Sequence, residues 1–205
     1  MDTRALDPYD FDAAAYVYET IRQTQTDVVA IAFYTGMRVS WSAWIKAHPF
    51  YRTHRLDDGV RRFDTDPLIV NAWQRLREGR PTPKDVQLLE HEIFESRFEG
   101  IFRTDYRTAH EATNRSGRLS GLEQGMALYI MIRKITENLT SAEYTFGTGE
   151  DRLGQLKIDK ATGNVVLVEP APGDAESALY HRATYKIKKH WATGDLLPEV
   201  TCWAS

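Results

Sequence analysis

The chain has 205 residues, 42% of them apolar and 27% charged, with a formal net charge of -3 and a pI near 6.1. This balance is that of an ordinary globular protein and excludes a disordered or fibrous one; the mild acidity gives no global pull toward nucleic acid, which usually shows as a basic domain or stripe. Cys202 is the only cysteine, which excludes a disulfide framework within the chain and a Cys-based zinc site.

No apolar run approaches the roughly 20 residues that cross a bilayer. The opening stretch MDTRALDPYDFD is acidic and lacks the basic and apolar regions of a signal peptide. The expectation is a protein with no membrane contact, cytoplasmic or delivered by a dedicated secretion system.

Asp10 can cap a first helix on which Phe11, Ala14, Ala15, Tyr18 and Ile21 recur at helical spacing. Asp27 precedes a short apolar helix that Gly36 closes in a left-handed turn. Ser40 caps the next, about residues 41 to 54, which contains Trp41, Trp44, Ile45 and Phe50 and which Pro49 should kink or split by removing an internal hydrogen bond. Helix, glycine turn and helix between residues 27 and 54 also have the outline of a DNA-binding helix-turn-helix, a reading that requires salt-dependent duplex binding.

Asp66-Pro67 starts a helix that Gly79 ends, and Thr82-Pro83-Lys84-Asp85 starts another by a capping box, about residues 83 to 102. Apolar residues lie on nearly every side of that helix, which predicts a central position. Asp105 caps a short helix bearing Tyr106, Ala109, His110 and Asn114, and Ser120-Gly-Leu-Glu123 is a further capping box, expected to open a helix through Met126, Tyr129, Ile130, Arg133 and Leu139. After about residue 145 two short strands, 153 to 158 and 165 to 169, flank a turn, followed by a helix from about 174 to 191 and a terminal extended stretch, 200 to 203. These elements predict a mainly α protein: a helical bundle around the central His/Glu helix, residues 1–145, with a small α+β appendage at 146–205, a β-hairpin plus helix, packed on the first.

His91 and Glu95 lie four apart on the central helix and so share one face. Such a pair can ligate a metal, or the carboxylate can fix the imidazole tautomer for acid/base work. The string His91-Glu92-Ile-Phe-Glu95 is not the zinc-peptidase motif, because Glu95 stands where the second histidine belongs. The plainer reading is a hydrogen bond that tethers helices. His48, His54 and His110, with Tyr106 on the face of His110, add polar groups that would complete a centre if the fold brought them together. In the last third, Lys157, Lys160, Arg182, Lys186, Lys188, Lys189 and His190 interleave with Tyr180, Tyr185 and Trp191, as a nucleic-acid surface or as an ordinary solvated helix face.

Together, Asp27 to Gly36, Ile45-Lys46-x-His48-x-Phe50-x-x-x-His54-x-Leu56, Arg62-Phe63-Asp64-x-Asp66, Ala72-Trp73-x-Arg75-Leu76, Asp85-x-x-Leu88-Leu89-x-His91-Glu92-x-x-Glu95 and Tyr106-Arg107-x-Ala109-His110-x-x-x-Asn114 resemble a domain met at the C-termini of bacterial polymorphic toxins. The resemblance covers residues 27–118. It implies a toxin or toxin-derived domain whose polar positions are His48, His54, Asp66, His91, Glu92, Glu95, Tyr106 and His110.

Two functions follow as expectations. One is a bacterial effector or toxin-like hydrolase, a metal-dependent nuclease, with His91, Glu92, Glu95, Tyr106 and His110 as catalytic residues and with His48, His54, His91, Glu95 and His110 binding a divalent metal, zinc or manganese. The other is a non-catalytic immunity or adaptor protein in which the same residues form a buried polar network. The expected partners are a nucleic acid substrate in the first case and a protein in either.

Overall fold

The computed structural model describes residues 5–117, 129–194 and 196–205. By internal contacts the chain divides into two units, residues 1–127 with Ser205, and residues 128–204.

The first unit is helical: α1 (Phe11–Gln23), α2 (Thr26–Thr35), α3 (Val39–Phe50), α4 (Pro67–Arg77), α5 (Pro83–Phe102) and α6 (Tyr106–Arg115), with a short ribbon of β1 (His54–Leu56) and β2 (Gly59–Arg61) after α3. Four of these six helices start on a side-chain cap. Asp10 accepts from Ala13 N–H, Asp66 from Leu68 N–H ahead of Pro67, Thr82 and Asp85 form the reciprocal capping box, and Asp105 accepts from Thr108 N–H. Gly36 ends α2 at φ 71°. Pro49 does not split α3; it sits one residue from the helix end, so the chain turns at Tyr51 and His54 enters β1 rather than a helix. Tyr18, Ile21, Ile31, Ile45, Phe50, Trp73, Leu76 and Leu89 form the core of this unit, from five helices.

Asp85 has a second use. Its carboxylate pairs with Arg75 through Nε at 2.9 Å and Nη2 at 2.6 Å, joining α4 to α5. Burial favours the neutral acid, but the bonds from Arg75 and Thr82 outweigh it and lower the Asp85 pKa below 3.8. A depressed folded value stabilises the protein above the unfolded pKa, and that stabilisation is lost as pH falls through the folded one. Denaturant midpoints of the protein and of Asp85→Asn should therefore be well separated at pH 7 and converge as pH falls below about 4; a constant separation would remove the pair from the acid response.

The second unit corrects the expected mainly α fold. It is an antiparallel sheet of β3 (Tyr129–Glu137), β4 (Ser141–Gly147), β5 (Leu153–Asp159), β6 (Val165–Glu169) and β7 (Val200–Ala204), in the order β6-β5-β4-β3-β7, with α7 (Ala178–Ala192). The protein is mixed α/β, with seven helices among its described residues. The helix expected to run on through Tyr129, Ile130, Arg133 and Leu139 is strand β3 from Tyr129 to Glu137, and the Ser120–Glu123 capping box lies outside the described residues. The reason is pairing: Tyr129–Glu137 carries Tyr129, Ile130, Ile132, Ile135 and Thr136, residue types that suit a pleated surface, and its ladder is filled by β4 on one side and β7 on the other. The expected hairpin is present as β5 and β6, its turn held by Asp159 Oδ1 accepting from Ala161 and Thr162 N–H.

Along α7, Ala183 and Ile187 are fully buried and Tyr180 donates its hydroxyl to the Val165 carbonyl at 3.2 Å. Gly147 ends β4 where a Cβ would stand 2.2 Å from the Arg152 carbonyl oxygen. Gly147→Ala must move backbone, and we expect a loss of about 1–3 kcal/mol, read as a lower thermal unfolding midpoint; an unchanged midpoint would contradict the tight approach. No helix among the described residues is long and apolar enough to cross a membrane.

Candidate metal centre

One face of α5 presents Glu92, Glu95 and Glu99, spaced i, i+3 and i+7, with His91 beside Glu95. His48 comes to this face from the last turn of α3, His54 from the start of β1 and His110 from the middle of α6. His48, His54, His91, Glu92 and Glu95 are each at most 3% exposed. The side chains of Glu99 and His110, at 14% and 12%, are the edges of the cluster open to solvent.

His48 lies between two carboxylates: Nδ1 is 2.7 Å from Glu92 Oε2 and Nε2 is 3.0 Å from Glu99 Oε2. Burial disfavours its charge, but the bonds to Glu92 and Glu99 prevail and raise its pKa to about 10, so the ring is an imidazolium donating at both ends. His54 donates Nε2–H to the His48 carbonyl at 3.1 Å, since a carbonyl can only accept, and its Nδ1 faces both Glu99 oxygens at 3.0 and 3.2 Å. Against burial, the bonds from His48 and His54 hold Glu99 below the usual carboxylate range. Phe63 stacks on His54 at 3.8 Å between ring centroids and fixes the plane of its ring.

On the other side, His110 Nδ1 is 3.0 Å from Glu95 Oε1, and His91 Nε2 is 3.6 Å from the same oxygen. Burial opposes ionisation of Glu95, and the bonds from His110 and His91 more than reverse it, holding the carboxyl well below its usual range. Asn114 caps His110 Nε2 at 3.1 Å. Tyr106 is fully buried against His54, Phe63 and His110. Burial and then the charges of Glu95, Glu92 and Glu99 push its pKa well above the ordinary value, so it stays protonated, and it donates to the Ser205 carbonyl at 3.2 Å.

Two carboxylate oxygens stand apart from this network. Glu92 Oε1 and Glu95 Oε2 are buried and have no hydrogen-bond partner among the described residues, an expensive state for a buried polar atom. Three sets of side chains bring ligand atoms within 4.8 Å of one another and could hold a metal ion: His91, Glu95 and His110; His48, Glu92 and Glu95; and His48, His54 and Glu99. The donor chemistry, imidazole and carboxylate, suits zinc, manganese or iron.

The residues expected from sequence thus meet: His48, His54, His91, Glu92, Glu95, Tyr106 and His110 lie in one cluster. Asp66 takes another part, as the cap of α4. Glu99 was missed, although its spacing from Glu92 and Glu95 signals the shared face. The helix-turn-helix outline exists as α2 and α3, but the exposed positions of α3 are Val39, Ser40, Trp41, Ala43 and Trp44, with no cation among them, and Lys46 turns inward. The basic C-terminal surface is reduced in the same way: Arg182 and Lys186 are buried, and Lys157 and Lys160 pair with Glu143 and Glu137. A separate apolar groove between α3 and α5, lined by Trp41, Ile93, Phe94 and Phe98, holds none of the clustered His or Glu residues.

Compared with known proteins, the chain matches no family model, no curated protein and no solved structure.

Proposed function

We propose that the chain is a metal-dependent hydrolase of the bacterial effector or toxin type, a nuclease cleaving phosphodiesters, with zinc or manganese held by the His/Glu cluster. The observation that carries this reading is the pair of buried carboxylate oxygens, Glu92 Oε1 and Glu95 Oε2, left without a hydrogen-bond partner among the described residues. A buried polar atom costs least when a ligand completes it. A divalent metal bound there would supply Lewis acidity and charge neutralisation.

The chain's own groups have distinct tasks. Glu95 orients His110 through Nδ1, leaving its partly exposed Nε2 edge, now capped by Asn114, as the place where a proton is moved. Glu99 orients His48 through Nε2 and His54 through Nδ1. Tyr106, kept protonated, packs against His54, Phe63 and His110 and adds no negative charge to the cluster. Nucleic acid is the substrate of this reading, an immunity protein its expected partner, and a cytoplasm its place of action, reached where needed by a dedicated secretion system.

The complete burial of His48, His91 and Glu95 favours the second reading, a non-catalytic immunity or adaptor protein with a structural polar network. The test is hydrolysis of single- and double-stranded DNA and RNA by the purified protein with added Mn2+ or Zn2+, beside a chelated control and His91→Ala. The hydrolase reading expects metal-dependent cleavage that falls at least about 100-fold in a folded His91→Ala. No cleavage by the wild type, with a large loss of stability in the variant, would leave the structural network.

A further inference from the structure

We propose that the cluster is built for two divalent cations with Glu95 shared between them, an inference that rests on the metal-dependent reading above and adds to it a second metal position. The first position is bounded by His91, Glu95 and His110, and the second by His48, Glu92 and Glu95. Among the described residues these two sets share only Glu95.

The two oxygens of Glu95 are already differentiated. Oε1 is 3.0 Å from His110 Nδ1 and 3.6 Å from His91 Nε2, whereas Oε2 has no partner among the described residues. The second unpartnered oxygen, Glu92 Oε1, belongs to the neighbouring side chain of the second set, and the ligand atoms of that set lie within 4.8 Å of one another. Two carboxylates this close and this buried repel each other in a medium that screens poorly. Metal–ligand bonds of about 2.0–2.2 Å place ligand atoms roughly 3 to 4 Å apart, the scale of this set.

His48 is arranged as a ligand for the second position. Glu99 can only accept at its 3.0 Å contact with His48 Nε2, so that nitrogen carries a hydrogen and the other, Nδ1, is turned toward Glu92 at 2.7 Å. A carboxylate that grips the far nitrogen of a histidine is the usual support of a metal-bound imidazole. His54 holds Glu99 from its other side. His48, Glu92 and Glu95 would hold the cation, and His48 would give up its Nδ1 proton to solvent on binding it: one divalent ion in, one proton out. Two cations roughly 3.5–4 Å apart form the clamp that serves in-line displacement at a phosphodiester, which narrows the substrate class to that chemistry.

The experiment is a Mn2+ titration of the chelator-stripped protein, counting bound ion by loss of the free Mn2+ electron paramagnetic resonance signal and recording the bound ion at low temperature. Two equivalents in the wild type with an exchange-coupled spectrum, falling to one equivalent with an isolated six-line spectrum in Glu92→Gln, are expected. The wild-type count decides even if Glu92→Gln does not fold, and His48→Gln serves as the second variant. One equivalent and a six-line spectrum in the wild type would overturn the second position while leaving a one-metal hydrolase standing. No bound Mn2+ at all would overturn the metal-dependent reading with it.

Discussion

Asp27→Ala is expected to destabilise the protein by about 3–5 kcal/mol, the cost of removing one partner of a buried ion pair. Asp27 is 3% exposed and Lys46 4%. Asp27 Oδ1 accepts from Lys46 Nζ at 2.9 Å and from Val28 N–H at 2.8 Å, and Oδ2 accepts from the Trp73 indole at 2.9 Å. One carboxylate thus joins α2, α3 and α4. Without it the Lys46 ammonium keeps the Thr24 carbonyl but loses its counter-charge, and Trp73 loses its acceptor. The midpoint of thermal unfolding should fall by more than about 10 °C. Asp27→Ala combined with Lys46→Met should recover much of the loss, because the stranded charge is gone. A single variant within about 1 kcal/mol of the wild type would mean that Lys46 escapes to water and that the pair does not organise the unit.

This pair also shows what the sequence could not display. The starts of α1, α4, α5 and α6 were legible because their chemistry is local: Asp10, Asp66-Pro67, Thr82 with Asp85, and Asp105 each bond within three residues. Asp27 meets Lys46 and Trp73 across 19 and 46 residues, so its spacing said only that a helix could begin there. The sheet was lost for the same reason. Residues 129 to 137 fit a helical stripe as well as a strand, and what decides is the pairing of β3 with Ser141–Gly147 and Val200–Ala204. In the site, the His91–Glu95 pair was visible at helical spacing, whereas the arrival of His48 at Glu92 and Glu99, 44 and 51 residues away, is a property of the fold.

The second large effect is expected at Glu95. Glu95→Gln keeps the shape of the side chain and removes the charge, and on the hydrolase reading it should lower metal-dependent cleavage by about 100- to 10,000-fold. The effect should exceed that of Glu92→Gln or Glu99→Gln, because Glu95 alone belongs both to the His91 and His110 set and to the set with His48 and Glu92. Its Oε1 accepts from His110, so the amide also disturbs the ring meant to carry the proton. Stability should fall as well: the bonds from His110 and His91 that hold the Glu95 pKa down are interactions the folded state makes with the ionised form. Rate and stability must therefore be measured on the same folded sample, with single-turnover cleavage at saturating Mn2+ beside circular dichroism at the same temperature. A folded Glu95→Gln that cleaves within about threefold of the wild type would take Glu95 out of the reaction. A folded variant whose activity recovers as Mn2+ is raised would instead place the lost charge in metal affinity, and the slope of that recovery would show how much of the effect belongs to binding the ion and how much to orienting His110.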